Sequence, residues 1–512
     1  MKIWHKQRQK KMEDIKLVIG TGAFGKIYGV GNVAIKRNFY STNFRGGIAS
    51  VREYDIMTKM KDSDHCLCLI EAKYNNPFSV PLSPAVGSHI QYSDPLFFCM
   101  ERGTTDIGCL IPSKSFTIKD RKLFLLYLAL AIEYVHSRGL IHNDIKPHNI
   151  IGFMSKDSEL QSAKLSDFGH SILHSIQRKS DPDVVTLEYR APEIATIQQY
   201  SYKVDVWAFG VVAYEAIKKT SLFNFEYDRS DSVLVRKISK LFELDTLCKD
   251  FASRTKVQLQ IPQNLPNVKT ILNLPFSEIL RFNKVPGGTF DEFLDLLAKT
   301  LKVPPIKRLS STDVVNHPFF SSYKNLIGLS RLKSGINKYG MWTTKPRQIT
   351  IVSDKYYQER TICIGEILSI FDLDMKRSKR CFSNVCLFHA LDMTDRYFVK
   401  INTLKHRPNP SLYGFIFLVI SAKYFTLYVD ELNVKRIYQE YSRNWIMSEI
   451  NKAEKHIIID IFEGNIIRES YTELINNAHP YTEVELSLLR DYITKMRPGK
   501  YFLNEVISKI RK

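Results

Sequence analysis

Short apolar runs separated by glycines mark the beginning of the chain. Leu17 to Ile19 and Ile27 to Tyr28 lie on either side of a glycine-rich stretch, and Val33 to Ile35 follows as a third run. Apolar and β-branched runs bounded by glycine are typical of β-strands. The pattern therefore predicts a strand, a turn, a second strand and then a third.

Helical spacing dominates the last third of the chain. Leu412 to Phe425 is apolar almost all round, which predicts a helix in the middle of a bundle. Met447 to Phe462 is a second helical stretch. A third runs from Phe382 to Val399, with apolar side chains at steps of three and four residues, at Phe382, Cys386, Ala390, Met393 and Tyr397. Residues 321–352 are polar and show no sustained period, so a linker is predicted there.

Composition narrows the class of protein without indicating a function. A chain of 512 residues with a formal charge of +20 is long enough for two or three domains. The most basic run, His5 to Lys11, belongs to a predicted flexible tail over residues 1–13. No basic block comes with a nucleic-acid motif, so a nucleic-acid partner is not predicted. The eight cysteines have no framework spacing, which indicates a reducing compartment.

The apolar runs favour a protein that is neither secreted nor embedded in a membrane. The start of the chain, MKIWHKQRQKK, contains no apolar stretch and does not have the pattern of a signal peptide. The longest apolar run, Leu412 to Ser421, is far shorter than the ~20 residues that span a bilayer. We therefore expect a cytoplasmic or nuclear location, without a membrane partner.

A glycine motif and a lysine occupy the predicted strands. Gly20, Gly22 and Gly25 have the spacing G-x-G-x-x-G, which dinucleotide-binding folds and protein kinases both use. A dinucleotide site needs a helix after the turn, whereas here a second strand follows, and then a third that carries Lys36. That order favours a glycine flap over nucleotide phosphates and a lysine that binds the α- and β-phosphates.

Further motifs follow in a fixed order. They are HNDIKPHNI at 142–150, Asp-Phe-Gly at 167–169, Ala-Pro-Glu at 191–193, DVWAFG at 205–210 and Arg308. Together with the glycine motif and Lys36, this series resembles the eukaryotic protein kinases from about Asp14 to Phe320. Lys146, two residues after Asp144, is the version of the loop typical of serine/threonine kinases.

The kinase resemblance implies a catalytic role for four residues. Asp144 is expected to be the base that accepts the substrate hydroxyl proton, and Lys146 to offset charge on the moving phosphoryl group. Lys36 is expected to pair with Glu53. ATP is the expected cofactor, bound by Ile19, Gly20, Gly22, Gly25, Ile27, Val33, Lys36, Met100, Glu101 and Gly103.

The same resemblance implies a metal site and two structural braces. Asn149 and Asp167 are expected to hold Mg²⁺. Glu193 is expected to pair with Arg308. The helix that anchors the catalytic loop is expected to use Asp205, Trp207 and Gly210.

Three stretches resemble the cyclin-dependent kinases in particular. Residues 46–57, GGIASVREYDIM, resemble the PSTAIRE helix of that family, residues 183–193 the end of its activation segment, and residues 221–225 the start of its insert. The resemblance implies protein substrates with serine or threonine. A pocket for a following proline is matched by Thr186, Leu187 and Arg190. Glu188 stands in place of the family's tryptophan, so the proline preference stays open.

The phosphorylation sites that regulate that family are changed in this chain. The two inhibitory sites in the flap correspond to Ala23 and Phe24, neither of which has a hydroxyl group. The activating threonine corresponds to Asp181, with Ser180 beside it. The sequence therefore predicts an enzyme that depends little on these phosphates.

The arginine cluster for the activating phosphate is also reduced. Only Arg52 is present, and the other two positions hold Asn143 and Ile172. A carboxylate carries less charge than a phosphate of about −2 and needs fewer arginines. We hypothesise that Asp181 pairs with Arg52 without an upstream kinase. The alternative is that Asp181 is an ordinary loop aspartate.

The helical last third resembles a cyclin box, the five-helix bundle that activates cyclin-dependent kinases. The resemblance covers about residues 353–465 and depends on Asp395, Arg396, Lys423 and Glu454. It implies that Lys423 and Glu454 contact the PSTAIRE-like helix of the kinase. An unrelated helical bundle is the alternative.

The predicted fold class is an α+β bilobal protein kinase fold followed by an all-α cyclin-box helical bundle. The predicted domains are the tail, a kinase domain over 14–320, the linker, a cyclin box over 353–465 and a helical extension over 466–512. We expect a kinase–cyclin fusion, of a kind that a large DNA virus could encode, activated by its own bundle within the chain or in a head-to-tail dimer. The alternatives are a pseudokinase scaffold with a cyclin-box interaction module, and a kinase whose bundle only recruits substrates.

Overall fold

The structure, a computed structural model, covers most of the predicted kinase domain and parts of the helical region. The described ranges are 18–22, 25–38, 53–60, 63–73, 97–173, 185–198, 200–243, 274–336, 357–376, 384–400, 409–425, 440–442 and 445–457, with a few single residues between them. Predictions outside the described residues concern the tail, the helical extension, Ala23, Phe24, Arg52, Ser180 and Asp181. The side chains of Asp395 and Lys423 are also outside the description, although both residues lie in described helices.

The chain divides into two compact units. One consists of residues 1–59, 69–102 and 345–512, and the other of residues 60–68 and 103–344. Each unit is therefore built from segments that are distant in the sequence.

A five-stranded antiparallel sheet lies in the first unit. Its order is β1-β2-β3-β5-β4, with β1 (Val18–Gly22), β2 (Gly25–Val30), β3 (Val33–Asn38), β4 (Leu69–Lys73) and β5 (Phe97–Glu101). The three strands expected from the sequence are β1, β2 and β3. The apolar positions of the sheet pack into one core, made of Tyr28, Val33, Ile35, Phe97 and Cys99. Residues 53–60 form helix α1, and all but the last of them belong to the same unit.

The second unit is mainly helical. Its helices are α2 (Ile107–Leu110), α3 (Ile118–Ser137), α4 (Pro192–Ala195), α5 (Lys203–Lys218), α6 (Asp231–Leu241), α7 (Phe276–Asn283), α8 (Phe290–Thr300), α9 (Ser311–Val315) and α10 (Lys324–Ser334). A small sheet has the order β6-β8-β9, with β6 (Thr105–Asp106), β8 (Ile150–Met154) and β9 (Leu160–Leu165). A separate pair joins β7 (Leu140–Ile141) and β10 (Ile172–Leu173).

Helices α3 and α5 form the centre of the second unit, because most of their residues are buried. A capping box between Thr117 and Asp120 satisfies the first amides of α3. One turn later, the buried Lys122 donates to the carbonyls of Phe282, Val285 and Gly288 at 2.7, 3.0 and 2.9 Å. Burial lowers the pKa of Lys122 to about 8, against an opposing effect of Glu292. This single ammonium therefore holds the turn between α7 and α8 against α3.

Four helices are described in the C-terminal region of the first unit. They are α11 (Tyr357–Lys376), α12 (Asn384–Lys400), α13 (Pro410–Phe425) and α14 (Met447–Lys455). Helix α13 packs against the other three, and its residues from Leu412 to Ala422 are all buried. Its apolar character on every side follows from that central position. None of the described helices is both long and apolar enough to cross a membrane.

Helix α10 differs from the linker predicted over residues 321–352. Its buried positions, Ile327, Ser330 and Ser334, recur at steps of three and four residues, but two of them are serines. A search for apolar periodicity does not detect such a helix. It ends at Gly335, which has the left-handed φ of 67° that a helix end favours.

Candidate active site

Lys36 and Glu53 form a buried ion pair in the first unit. Lys36 lies in β3 opposite Phe98 of β5, and Glu53 is the first described residue of α1. The lysine Nζ is 2.7 Å from Oε1 and 2.8 Å from Oε2 of Glu53, and the side chains are only 9% and 2% exposed. Loss of either partner would leave a buried charge without compensation. The structure thus brings these two predicted catalytic residues together.

The flap glycines differ in what the sheet requires of them. Gly25 opens β2, where a Cβ would lie 2.3 Å from the carbonyl oxygen of Arg37 in β3, so no side chain fits. At Gly20 in β1, a Cβ would meet only the side chain of Ile27, at an ordinary 3.5 Å. The close approach of two strands explains Gly25. Gly20 has no such requirement, and its expected role at a phosphate stays a prediction.

Other residues expected to bind ATP lie on the same sheet. Ile19 is in β1, Ile27 in β2 and Val33 in β3, and Glu101 is the last residue of β5. The register pairs Val33 with Glu101 and Ala34 with Met100. Gly103 begins a segment of the second unit, where a Cβ would lie 2.3 Å from the side chain of Ile151.

In the second unit, three side chains hold the carboxylate of Asp144. Lys146 Nζ and Asn149 Nδ2 donate to Oδ2 at 2.7 and 2.9 Å. The Thr186 hydroxyl donates to Oδ1 at 2.7 Å, while Lys146 Nζ also donates to that hydroxyl at 3.0 Å. The carboxylate is 5% exposed. Its position is therefore fixed from both oxygens.

The surroundings of Asp144 keep it ionised. Burial raises its pKa, but the charges of Lys146 and His170 and the hydrogen bonds from Lys146 and Thr186 outweigh burial, so the pKa lies below 3.8. A carboxylate of this kind is a weak base that orients a hydroxyl group through a strong hydrogen bond.

Asn149 and Asp167 provide oxygen atoms that suit a hard cation. Ser166, which precedes Asp167, donates from its amide and its hydroxyl to the Asn149 carbonyl at 2.8 and 2.9 Å. Asp167 has a left-handed φ of 62°. Within the described part of the chain, no group of three or more His, Cys, Asp or Glu side chains could hold a metal. One carboxylate and one amide fit a Mg²⁺ ion that takes its other ligands from phosphates and water.

Asp205 fixes the backbone of the catalytic loop from the first turn of α5. Its Oδ2 accepts the amide of His142 at 2.7 Å, and its Oδ1 accepts the amide of Asn143 at 2.9 Å. His136 Nε2 lies 2.9 Å from the same Oδ2. Two backbone amides of the loop are thereby tied to one buried carboxylate.

Asn143 joins the loop to a neighbouring segment. Its φ is 67°, a left-handed value that asparagine tolerates better than most residues. Its Nδ2 donates to the Tyr200 hydroxyl at 3.2 Å and to the His170 carbonyl at 3.4 Å. The ring of His142 also packs edge-on against Phe168, with centroids 5.1 Å apart. Asn143 thus bonds directly to a backbone carbonyl and a tyrosine hydroxyl.

A buried pair braces the end of the activation segment. Arg308 donates to both oxygens of Glu193 at 2.8 and 3.1 Å, and the two side chains are 0% and 2% exposed. The guanidinium also lies over the Trp207 ring at 5.1 Å. A Cβ at Gly210 would lie 2.7 Å from Thr300 Oγ1, so α5 and α8 meet closely there. The predicted braces Glu193 and Arg308 thus contact each other, and Arg308 also contacts Trp207.

The region of the predicted substrate pocket is held by two ion pairs. Arg190 donates to the Val185 carbonyl at 2.6 and 3.2 Å and to Asp231 at 2.6 Å. Glu188 pairs with Arg229 at 2.7 Å. The preference for a following proline stays a prediction.

The hydrogen bond between Thr186 and Asp144 was not anticipated from the sequence. The sequence predicts Thr186 only as part of the substrate pocket, because its role depends on a fold that returns residue 186 to residue 144. Its position five residues before Ala191 is the one signal that the sequence offers. In the helical region, Glu454 is buried in α14 and Lys423 lies in α13. Their contact with the kinase helix stays a prediction.

The buried lysine–glutamate pair of the first unit and the aspartate–lysine–asparagine loop of the second are both features that the protein kinase resemblance predicts. Residues 14–320 match the family model described as the protein kinase domain. This match covers more than half of the chain, and the chain therefore belongs to the protein kinase family.

Individual relatives agree with this assignment. "Probable cyclin-dependent kinase 10" of Dictyostelium discoideum is 30% identical over 266 residues, which are 50% of this chain and 65% of that protein. The mitogen-activated protein kinase HOG1 of Debaryomyces hansenii is 29% identical over 320 residues, 60% of this chain and 72% of that protein. Cyclin-dependent kinase 4 of Xenopus laevis is 27% identical over 316 residues, 59% and 88% of the two chains. The family match and these relatives support a serine/threonine protein kinase that uses ATP and a divalent metal.

Proposed function

We propose that this chain transfers the γ-phosphoryl group of ATP to serine or threonine residues of proteins, with Mg²⁺ as the metal. The observation that carries the proposal is the Asp144 carboxylate, held by Lys146, Asn149 and Thr186 in one network. Such a carboxylate can orient a hydroxyl group, and the adjacent ammonium can offset charge on the transferred group.

The residues of the chain would divide the work as follows. Asp144 accepts the hydrogen of the substrate hydroxyl, and Lys146 lies beside the oxygens of the moving phosphoryl group. Lys36, held by Glu53, binds phosphate oxygens of the nucleotide. Asn149 and Asp167 would hold Mg²⁺, which would supply positive charge at the phosphates when bound. Positioning and charge do most of the catalytic work, because phosphoryl transfer needs little covalent chemistry from the protein.

The decisive experiment is Mg²⁺-dependent ATP turnover on a peptide library. We expect phosphorylated serine and threonine, and no phosphotyrosine. Asp167→Ala should abolish turnover if Asp167 holds the metal. A pseudokinase scaffold would instead show no turnover in the wild type, although Lys36, Asp144, Asn149 and Asp167 are all present. Enrichment of peptides with proline after the target residue would also show that the preference for proline persists although Glu188 replaces the family's tryptophan.

The proposal includes activation by the chain's own cyclin-box-like region, within the chain or in a dimer. Two observations support it. The Lys36–Glu53 ion pair is formed in the structure of this chain. Residues 345–512 belong to the same compact unit as the sheet and α1. The chain between α10 and α11, on the order of 20 residues over 337–356, would hold the region at an effective concentration of about millimolar.

Independence from an activating phosphate is the last part of the proposal. The contacts of Asn143 with His170 and Tyr200 support it, because the position that carries an arginine in the resembling family here bonds directly to protein groups. Asp181→Ala and Ser180→Ala separate the alternatives. If Asp181 acts through Arg52, Asp181→Ala lowers activity while Ser180→Ala does not. Unchanged rates in both variants would exclude the Asp181–Arg52 pair.

A further inference from the structure

Helix α10 lies beyond the residues that match the kinase family and yet packs tightly on the second unit. Ile327, Ser330 and Ser334 are buried, whereas Leu329 and Leu332 on the opposite side are exposed. Serines at positions four apart leave little bulk between the helix and its neighbours. One face of α10 therefore packs against the kinase domain.

An arginine of α10 fixes it to the central helix α3. Arg331 donates to both oxygens of Glu133 at 2.9 and 2.6 Å and to Asn316 Oδ1 at 3.0 Å. Glu133 is 1% exposed. A buried bidentate pair of this kind fixes both position and rotation of the helix.

The next contact reaches the segment of residues 63–68, which follows α1 in the sequence. Ser330 Oγ lies 2.7 Å from His65 Nε2, and the His65 ring stacks on Tyr127 of α3 with centroids 5.5 Å apart. Lys333 pairs with Asp64 at 2.9 Å, but both side chains are more than half exposed, so this pair contributes little. The buried contact of His65 is thus the one that couples α10 to the segment.

Segment 63–68 is in turn hydrogen-bonded to the end of β9. Leu165 donates its amide to the His65 carbonyl at 2.8 Å, and Leu67 donates its amide to the Leu165 carbonyl at 2.8 Å. Leu165 is followed by Ser166, which binds the Asn149 carbonyl, and by Asp167. A continuous series of contacts therefore runs from α10 to the two expected metal ligands.

We propose that α10 is a positioning element of the active site. Through Ser330 and His65 it holds segment 63–68, and that segment holds the end of β9, from which Asp167 extends. The inference depends on the proposed function for the metal-binding role of Asp167 and Asn149. It extends the functional kinase domain to Ile336, beyond the family match that ends at residue 320.

The test compares three variants of α10 in the full-length chain. Ser330→Ala removes the hydroxyl that His65 contacts, Ser330→Thr retains a hydroxyl, and Lys333→Ala removes only the exposed pair and is the matched control. Amide hydrogen exchange at Leu67 and Leu165 reports on the segment. Steady-state kinetics separate the KM for Mg²⁺-ATP from the KM for a peptide.

Ser330→Ala is expected to accelerate exchange at both amides and to raise the KM for Mg²⁺-ATP roughly tenfold, with the peptide KM unchanged. Ser330→Thr should restore most of the nucleotide affinity, and Lys333→Ala should behave as wild type. Arg331→Ala should change the same two quantities as Ser330→Ala, by at least as much.

Several results would overturn the proposal. Unchanged exchange at Leu67 and Leu165 would exclude the coupling, and faster exchange with an unchanged nucleotide KM would exclude the positioning role. If Ser330→Ala lowers only kcat, and by the same fraction as it lowers the amount of folded protein, the role of α10 would be purely structural. If the wild type turned over no ATP, the proposed function would fail on its own, and calorimetric binding of Mg²⁺-ATP to the same variants would decide the role of α10.

Discussion

The catalytic loop and the C-terminal helices are held together by different kinds of contact. Around Asp144, the side-chain contacts of the carboxylate are hydrogen bonds from Lys146, Asn149 and Thr186, which together with the bond from Lys146 to Thr186 measure 2.7 to 3.0 Å. In α13, by contrast, the residues from Leu412 to Ala422 are buried mainly among apolar side chains. Polar networks cost free energy to bury and are retained where position matters. The comparison indicates that the contacts of the catalytic loop position charged groups, whereas those of α13 pack the helical region together.

Polar contacts do occur within the helical region, but they join parts of that region to one another. Asp374 of α11 accepts the Tyr441 hydroxyl at 3.0 Å and the Phe382 amide at 3.0 Å. His389 Nδ1 of α12 lies 3.0 Å from Ser421 Oγ of α13. These pairs therefore fix the packing within the described part of the helical region.

The largest effect is expected from Asp144→Asn. This change removes the charge that accepts the hydroxyl proton, so kcat should fall about a thousandfold while the KM for ATP stays near the wild-type value. Phosphate incorporation into a peptide measures both constants. Asp157→Asn, at an exposed aspartate of the same unit, is the control. If kcat falls by less than tenfold in Asp144→Asn, the polar contacts of the catalytic loop would not have the catalytic role that distinguishes this loop from the C-terminal helices.

Removal of residues 337–512, with α10 kept, tests the helical region. If that region activates the kinase, kcat/KM on a short peptide should fall by about 10- to 100-fold, a typical size for coupling between two sites. Short peptides serve as substrate because they cannot use a separate docking surface. Full activity of the shortened chain would instead assign the region to substrate recruitment.

Two glycines in the helical region allow a controlled test of how closely its helices pack. At Gly414 of α13, a Cβ would lie 2.5 Å from the Cys363 carbonyl of α11, whereas at Gly365 no atom lies within 4 Å. Gly414→Ala should destabilise the region by about 1 to 3 kcal/mol. Gly365→Ala should stabilise it by up to about 1 kcal/mol, because alanine favours the helix. Hydrogen exchange of α13 amides measures both, and equal effects would contradict the close packing.

The smallest effect concerns His65 and pH. Burial lowers its pKa from 6.5 to about 4, and Lys164 and Lys333 act in the same direction while Asp64 opposes them. The unfolded chain therefore binds a proton more readily than the folded chain between these values, so stability is lost as pH falls. From pH 7 to 5.5, the loss should be about 1 kcal/mol. Urea unfolding of the wild type and of His65→Gln checks this, and identical pH slopes would contradict it.

The sequence anticipated which charged side chains meet, because kinase motifs place particular residue types at fixed spacings; the catalytic roles of these residues stay predictions. Lys36 and Glu53 are brought together as expected, and so are Asp144, Lys146 and Asn149. The helix at Pro410–Phe425 was also predictable, since a run that is apolar on every side has few other places in a folded chain.

What the sequence could not supply are contacts created by tertiary structure. Thr186 reaches Asp144 only because the activation segment returns to the catalytic loop. Helix α10 could not be detected from apolar periodicity, because its buried face includes Ser330 and Ser334. The pairing of Asn143 with His170 has no local signal, since the two residues meet through a left-handed backbone at Asn143.

The full set of donors around Asp144 also bears on the timing of the chemical step. A carboxylate that already accepts bonds from an ammonium, an amide and a hydroxyl has little affinity left for a further proton. It would take that proton only after the acceptor oxygen had begun to bond to phosphorus and had become strongly acidic. The rate should accordingly depend only weakly on the acidity of the acceptor alcohol, as a series of fluorinated serine analogues in one peptide would reveal.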